Sequence, residues 1–420
     1  MTQRSVPRSG ARGLQRVFSA LAVRNYRFFF IGQFISVTGT WMQKVAQDWL
    51  ILELGGGPLE LSIGVALQSL PALVFGIWGG LLVDRVAHVR RILLATQVLL
   101  AALALALGIL TATGQITLTI VYVAAFAVGL VGIFDAPARQ TFVFDMVGRD
   151  HVANAVSLNS SINNSARLIG PAVGGIIIGL AGTGVAYLVN ATTFIAIVVA
   201  LLMMDKGRLH PRSPVVRARG QVLEGLRYAW ARRDIRTPLI TTLLVSMFSQ
   251  NFRVTLPLMA VIVFDGGAGS YGSLVSALGL GALAGALICA YLARPSLRMI
   301  GWELMGFGVL VLLAAAAPTY LVLLVLVIGV GAGNTSFNTT SNSLILLTAA
   351  PEMRGRVYSI RTLVSRGSTP VGSLLIGWIC HVSGPRAGLA VGGVFALLAA
   401  VIALRARHRT DHPASDEMVR

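Results

Sequence analysis

The chain has 420 residues, 34 of them Lys or Arg and 16 Asp or Glu, for a formal charge of +18, yet 55% are hydrophobic and only 12% charged. A soluble domain carries about twice that charged fraction. A mean hydropathy of +0.77 with 46 glycines fits a chain that lives in lipid, where glycine is commoner than in soluble helices. The basic excess is not a nucleic-acid footprint, which would spread Lys and Arg over a wetted face with aromatics between them. Here the arginines fall in short clusters between apolar runs. Nor does the sequence signal an enzyme, a metal site or a cofactor. Cys289 and Cys380 lie inside apolar runs as small hydrophobes, and none of the six histidines stands at a catalytic spacing from a carboxylate.

In chain order, residues 1–26 read as an arginine-rich tail ahead of an uncleaved first helix. Apolar stretches of the roughly 20 residues that a bilayer requires follow at 27–51, 61–83, 92–112, 117–138, 153–181, 184–204, 237–263, 269–293, 297–316, 319–348, 357–381 and 385–405. These predict an all-α membrane protein with twelve transmembrane helices: a six-helix bundle over 27–204, a linker over 205–236, a second bundle over 237–405 and a tail over 406–420. Of the 34 basic residues, 28 fall on one side of these spans. Arg386 falls on the other, and Lys44, Arg167, Arg253, Arg361 and Arg366 fall within spans. Because Lys and Arg accumulate in cytoplasmic loops, both termini are expected in the cytoplasm of a multi-pass plasma-membrane protein. In the linker, Val222, Leu223, Leu226 and Trp230 recur at helical spacing against Arg227, Arg232 and Arg233. This suits an amphipathic helix on an anionic leaflet, and a solvated connector fits equally.

The two halves echo one another. Val173-Gly174-Gly175-Ile176-Ile177-Ile178-Gly179 in span 5 returns 198 residues later as Val371-Gly372-Ser373-Leu374-Leu375-Ile376-Gly377 in span 11, with Pro171 and Pro370 just upstream. Duplicated six-span units with a site between them near the midplane are a recurring transporter architecture.

Between spans 2 and 3, Gly80-Leu81-Leu82-Val83-Asp84-Arg85, followed by Arg90-Arg91, resembles the G-x-x-x-D-R-x-G-R-R signature of the major facilitator superfamily. Ala87 stands in place of the second glycine, and His88-Val89 displace the basic pair. Gly170-Pro171-Ala172-Val173-Gly174-Gly175 matches the G-P-x-x-G-G motif of the antiporter branches of that superfamily. The stretches from Asp135 to Gly175 and from Arg354 to Gly377 are similar to the group that includes the enterobactin exporter and macrolide efflux pumps. The resemblance runs from about Asn25 to span 12. It implies the pseudo-symmetric major facilitator fold, a monomer, and export of a small molecule (drug, siderophore or other secondary metabolite) by proton antiport with alternating access. A nutrient importer of the same fold is disfavoured by the antiporter motif, and a non-transporting sensor or scaffold by the retained Asp84. One departure is that residues 117–131 carry no charge, whereas many drug:proton antiporters of the superfamily hold an arginine in the outer part of span 4.

Ionisable groups in a span are costly and face a partner or a wet cavity, which makes each a candidate. Lys44 and Asp48 lie one turn apart on the polar face of span 1, either as a proton-sensitive switch or as a static ion pair. Asn159, Asn163, Arg167 and Pro171 share one face of span 5, with Arg167 as a cavity residue for an anionic or carbonyl-rich substrate or as interhelical glue. Gln250, Asn251 and Arg253 in span 7, and Asn334, Asn338 and Asn342 in span 10, extend the expected pathway. Gly80, Asp84, Arg85, Arg90, Asp135, Arg361 and Arg366 form the expected inner gating latch, solvated end charges being the other reading. Gly170, Pro171, Gly174 and Gly175 form the bent, closely packed antiporter helix.

Overall fold

A computed structural model describes residues 19–86, 88–210, 221–292 and 295–407, helical almost throughout and without a strand among them. Span 1 runs Arg24–Glu53, span 2 Pro58–Arg85 and span 3 Val89–Ala112. The helical stretch Leu118–Leu202 contains the next three, because it folds back at Gly148 and Gly182. Their φ angles of 65° and 83° lie in the left-handed region that glycine enters without strain. Spans 4, 5 and 6 are therefore 118–147, 149–181 and 183–202. After a linker helix, Gln221–Ala231, come span 7 (233–263), span 8 (Ala268–Leu292), span 9 (Leu297–Ala315), span 10 (Tyr320–Thr348), span 11 (354–383) and span 12 (Pro385–Arg407). The product is twelve transmembrane helices in two pseudo-symmetric bundles of six. Thr117, Ser296 and Thr319 start spans 4, 9 and 10 by accepting the N–H three residues on.

Three spans are less regular than their apolar runs predict. Spans 1, 7 and 11 fall outside the eight stretches of described residues that are long and apolar enough to cross on composition alone. Span 7 is a chain of short pieces: π turns at Val245–Ser249 and Met259–Val263 flank the helix Phe252–Leu258. Pro257 has no N–H to give the Arg253 carbonyl one turn back. Span 11 breaks between Arg354–Gly367 and Thr369–Ser383, just ahead of Pro370. Span 5, by contrast, keeps helical φ/ψ through Pro171, so the chain reverses at its two glycines rather than breaking at the proline.

The ends of the spans that carry most of the arginines define one face of the bundle, here called the basic face; Glu53, Pro58 and Gly182 lie at the far face. The antiporter motif packs two ways. A side-chain carbon on Gly170 would meet the Thr38 carbonyl and Trp41 of span 1 at 2.6–2.7 Å, and one on Gly174 would meet Met42. Gly175 instead abuts Ala268 and Gly272 of span 8, across the divide between the bundles. A second seam brings Gly377 of span 11 against Ser62 and Pro58 of span 2. Both seams run from the far face to mid-depth, ending where Gly279 meets Arg167 and where Gly367 meets Leu73. Toward the basic face Ser157, Ser160 and Ser161 of span 5 and Tyr358 and Ser359 of span 11 are exposed, so the interior opens that way. The linker helix docks on span 11 by a Glu224–Arg356 ion pair of 2.6 Å and by the Tyr228 hydroxyl accepting the Ala350 N–H, leaving Leu226 and Trp230 uncovered.

At Gly272 a side-chain carbon would sit 2.6 Å from the Pro171 carbonyl, whereas at Gly306 it would meet nothing within 4 Å. Gly272→Val should therefore lower thermal stability in detergent by about 1–3 kcal/mol through overpacking, and Gly306→Ala should not.

Candidate functional site

Asp48 lies five residues before the end of span 1, about 7 Å of helix from the far face. Its side chain is 0% exposed and is gripped side-on by Arg253 of span 7. Nη2 donates to Oδ1 at 2.6 Å and Nε to Oδ2 at 3.0 Å, a bidentate pair that matches the planar guanidinium to the carboxylate. Tyr271 of span 8 donates its hydroxyl to Oδ2 at 2.7 Å. The third arm of Arg253, Nη1, donates to Gln68 Oε1 at 2.5 Å, and Gln68 in turn donates to Gln47 Oε1 at 3.1 Å. The bonds that Arg253 and Tyr271 donate all cross from one bundle to the other.

Lys44 does not pair with Asp48, contrary to what their spacing predicts. Arg253 offers the carboxylate two N–H groups in a rigid fork and is more weakly hydrated than an ammonium, so it takes the site. The Lys44 ammonium lies 3.8 Å from the centre of the Trp41 ring, and the Arg167 guanidinium stands 5.5 Å from the same ring. Arg167 Nε is buried without a hydrogen-bond partner. On span 5, Asn163 donates to the Asn159 carbonyl and is exposed. In the second bundle Gln250 donates to Asn334 Oδ1 at 2.7 Å, Asn338 donates to Asn334, and Arg361 Nη2 donates to the Asn338 carbonyl at 3.0 Å. Asn342 Oδ1 is buried without a partner, and Asn251 turns back to the Met247 carbonyl.

The fold, two bundles of six helices, is shared with known carriers. The solved nucleoside transporter NupG superposes with a TM-score of 0.72 at 12% identity, covering 91% of this chain and 100% of that one. A bacterial homolog of the human lysosomal transporter Spinster, in an inward-facing and unoccupied conformation, superposes at 0.72 and 11% identity, covering 91% and 97%. A family model described as transmembrane secretion effector matches residues 15–418. The chain belongs to that family. It is a membrane transporter of the major facilitator superfamily and not an enzyme. The Staphyloferrin A transporter of Staphylococcus aureus is 24% identical over 365 residues, covering 85% of this chain and 90% of its own length. The multidrug efflux pump Tap of Mycolicibacterium fortuitum is 27% identical over 382 residues, covering 87% and 91%.

Among the members of the expected inner latch whose side chains are described, Asp135, Arg90 and Arg361 take partners within their own bundle. Asp135 pairs with Arg139 of its own helix at 2.6 Å and accepts from Thr96 and Gln97 of span 3, while Arg139 also donates to Gln33. Arg361 is spent on Asn338, and Arg90 caps the last carbonyls of span 6, Leu201 at 2.7 Å and Leu202 at 3.2 Å. Arg366 is exposed. Gly80, Asp84 and Arg85 are in the last turns of span 2, and their side chains lie outside the described residues, as do those of Val222 and Leu223. Reading the sequence also passed over Trp41, Gln68 and Tyr271, none of which is charged, and Glu303 of span 9. Glu303 accepts from Thr340 at 2.8 Å and has its other oxygen buried without a partner. A lone carboxylate in an apolar run was the available signal for it.

If the Asp48–Arg253 pair holds the far face shut, Asp48→Asn should expose residues of the span 2–11 seam. Ser62, 0% exposed there, serves as reporter when changed to cysteine in a background with Cys289 and Cys380 replaced by serine. Labelling by a membrane-impermeant maleimide should be slow while Asp48 is present and faster by about tenfold or more in the Asp48→Asn variant, since an unpaired buried Arg253 is worth several kcal/mol.

Proposed function

We propose that this transporter exports a small molecule from the cytoplasm by proton antiport, working as a monomer with both termini in the cytoplasm. The observation that carries this is the Asp48–Arg253–Tyr271 closure at one face above an interior open at the other. On this reading the basic face is cytoplasmic, and substrate enters from it between spans 5 and 11. The antiporter motif, which packs span 5 on both span 1 and span 8, and the naming of Tap as an efflux pump support the outward direction. A drug, a siderophore or another secondary metabolite fits as substrate.

The coupling follows from what Asp48 touches in each state. While the far face is shut, Arg253 and Tyr271 engage both carboxylate oxygens. Swinging the bundles apart removes both partners at once, and Asp48 then takes a proton from outside. When the bundles close again, the guanidinium returns to the carboxylate and the proton leaves toward the cavity, which the 25% exposed Arg253 side chain adjoins. The substrate goes out and the proton comes in, with about 2.3 kcal/mol per charge available from each 100 mV of membrane potential.

Cells producing the protein should release at least one metabolite faster than cells without it, as seen by mass spectrometry of the medium. Collapsing the proton gradient should stop the release, and Asp48→Asn should abolish it. Undiminished proton-driven release by that variant would remove Asp48 from the coupling step.

A further inference from the structure

We infer that the transported molecule is a small water-soluble polyanion, bearing at least two carboxylate, sulfonate or phosphate groups, and that Lys44 and Arg167, both set against the Trp41 ring, are its primary contacts. The inference rests on the export reading for the idea of a cargo, but the site is argued from charge alone. Lys44 stands in the field of three further cations, Arg167, Arg253 and Arg366, and of one carboxylate, Asp48. That carboxylate is already engaged by Arg253 and Tyr271. Lys44 and Arg167 have no ion pair or hydrogen-bond acceptor among the described residues; the face of Trp41 is what they share. An indole face compensates a cation only in part, and Arg167 Nε is left with a buried N–H pointing at no acceptor. Uncompensated charge deep in a membrane protein is costly and is retained where something binds it.

The geometry favours an anion with more than one charged group. Lys44 and Arg167 come from different helices, spans 1 and 5, and each lies against the Trp41 ring, so two cations are left for the acidic groups of the cargo to satisfy. Arg366, exposed on span 11, offers a third cation from the opposite bundle. The exposed Ser157, Ser160, Ser161 and Asn163 lead to the pair from the open face, a wet approach suited to a soluble anion rather than to a lipid headgroup. The same cations repel lipophilic cations.

Purified full-length protein in nanodiscs of neutral lipid, with propane-1,2,3-tricarboxylate as probe, tests this by calorimetry and thermal stability. The tricarboxylate should bind saturably, and its neutral triamide and ethidium should not. Lys44→Gln and Arg167→Gln should each weaken binding by about tenfold or more, while Lys44→Arg and Arg167→Lys, which keep the charge, should restore most of it and show that the fold is intact. Any of three results overturns the proposal: binding of ethidium or triamide in place of the tricarboxylate, affinity indifferent to neutralising both cations, or no saturable binding of this probe or of a dicarboxylate, a disulfonate and a bisphosphate. Competition by phosphatidylglycerol with no soluble anion bound would assign the site to a lipid and also overturn it. If the wild type binds the tricarboxylate and yet releases no metabolite, the export reading fails and the anion site stands.

Discussion

A carboxylate and a guanidinium buried together between two helical bundles cannot part unless each finds something else to bind, and most of what this transporter does depends on that condition. Asp48 and Arg253 come from different halves of the chain, so their bond is also the bond between the halves. Removing one partner of such a pair costs about 3–5 kcal/mol, enough to keep an empty carrier from drifting open. Glycine seams at spans 5–8 and 2–11 bring the backbones close enough for the pair to reach. Those seams stop at mid-depth, and the pair sits toward one end of them, so a closed far side and an open basic side are parts of one arrangement rather than two separate features.

How far the sequence reveals this depends on the kind of signal. Apolar runs set the twelve helices, because lipid demands length and hydropathy of every span. The reversals at Gly148 and Gly182 are harder to see, since one glycine among 46 carries no mark of its φ angle. The charged members of the site were visible because charge in a span is rare. Their partners were not: a one-turn spacing in span 1 suggested Lys44 for Asp48, whereas tertiary contact supplied Arg253, 205 residues away. Gln68 and Tyr271 are ordinary polar residues until the fold places them on that ion pair. Of the expected latch, Asp135 and Arg361 both have local partners in this arrangement. Spans 1, 7 and 11, which carry charged residues within their apolar runs, are the ones that contribute Lys44, Asp48, Arg253 and Arg366, so charge within a spanning run was itself a pointer to the interior.

A surplus of cations in that interior also bears on energetics. An anion leaving a cell whose inside is negative moves with the electrical force, by about 2.3 kcal/mol per charge for each 100 mV. On the proposal of proton-coupled export of an anion, proton entry would add to the same direction of charge movement, and cargo and coupling ion would work together electrically instead of opposing one another. The relatives named for a siderophore and for drugs differ in the cargo of their names while matching most of this chain's length.

The jointed build of span 7 has a mechanical consequence. Arg253 rides on a seven-residue helix, Phe252–Leu258, with a π turn before it and another after it. Each π turn is one residue out of step with regular helix, and a residue is worth about 100° of rotation. Letting one of them slip would turn that short rod about its axis and sweep the guanidinium off Asp48 without dragging the rest of the bundle. Span 7 is thus jointed on both sides of the residue that holds Asp48.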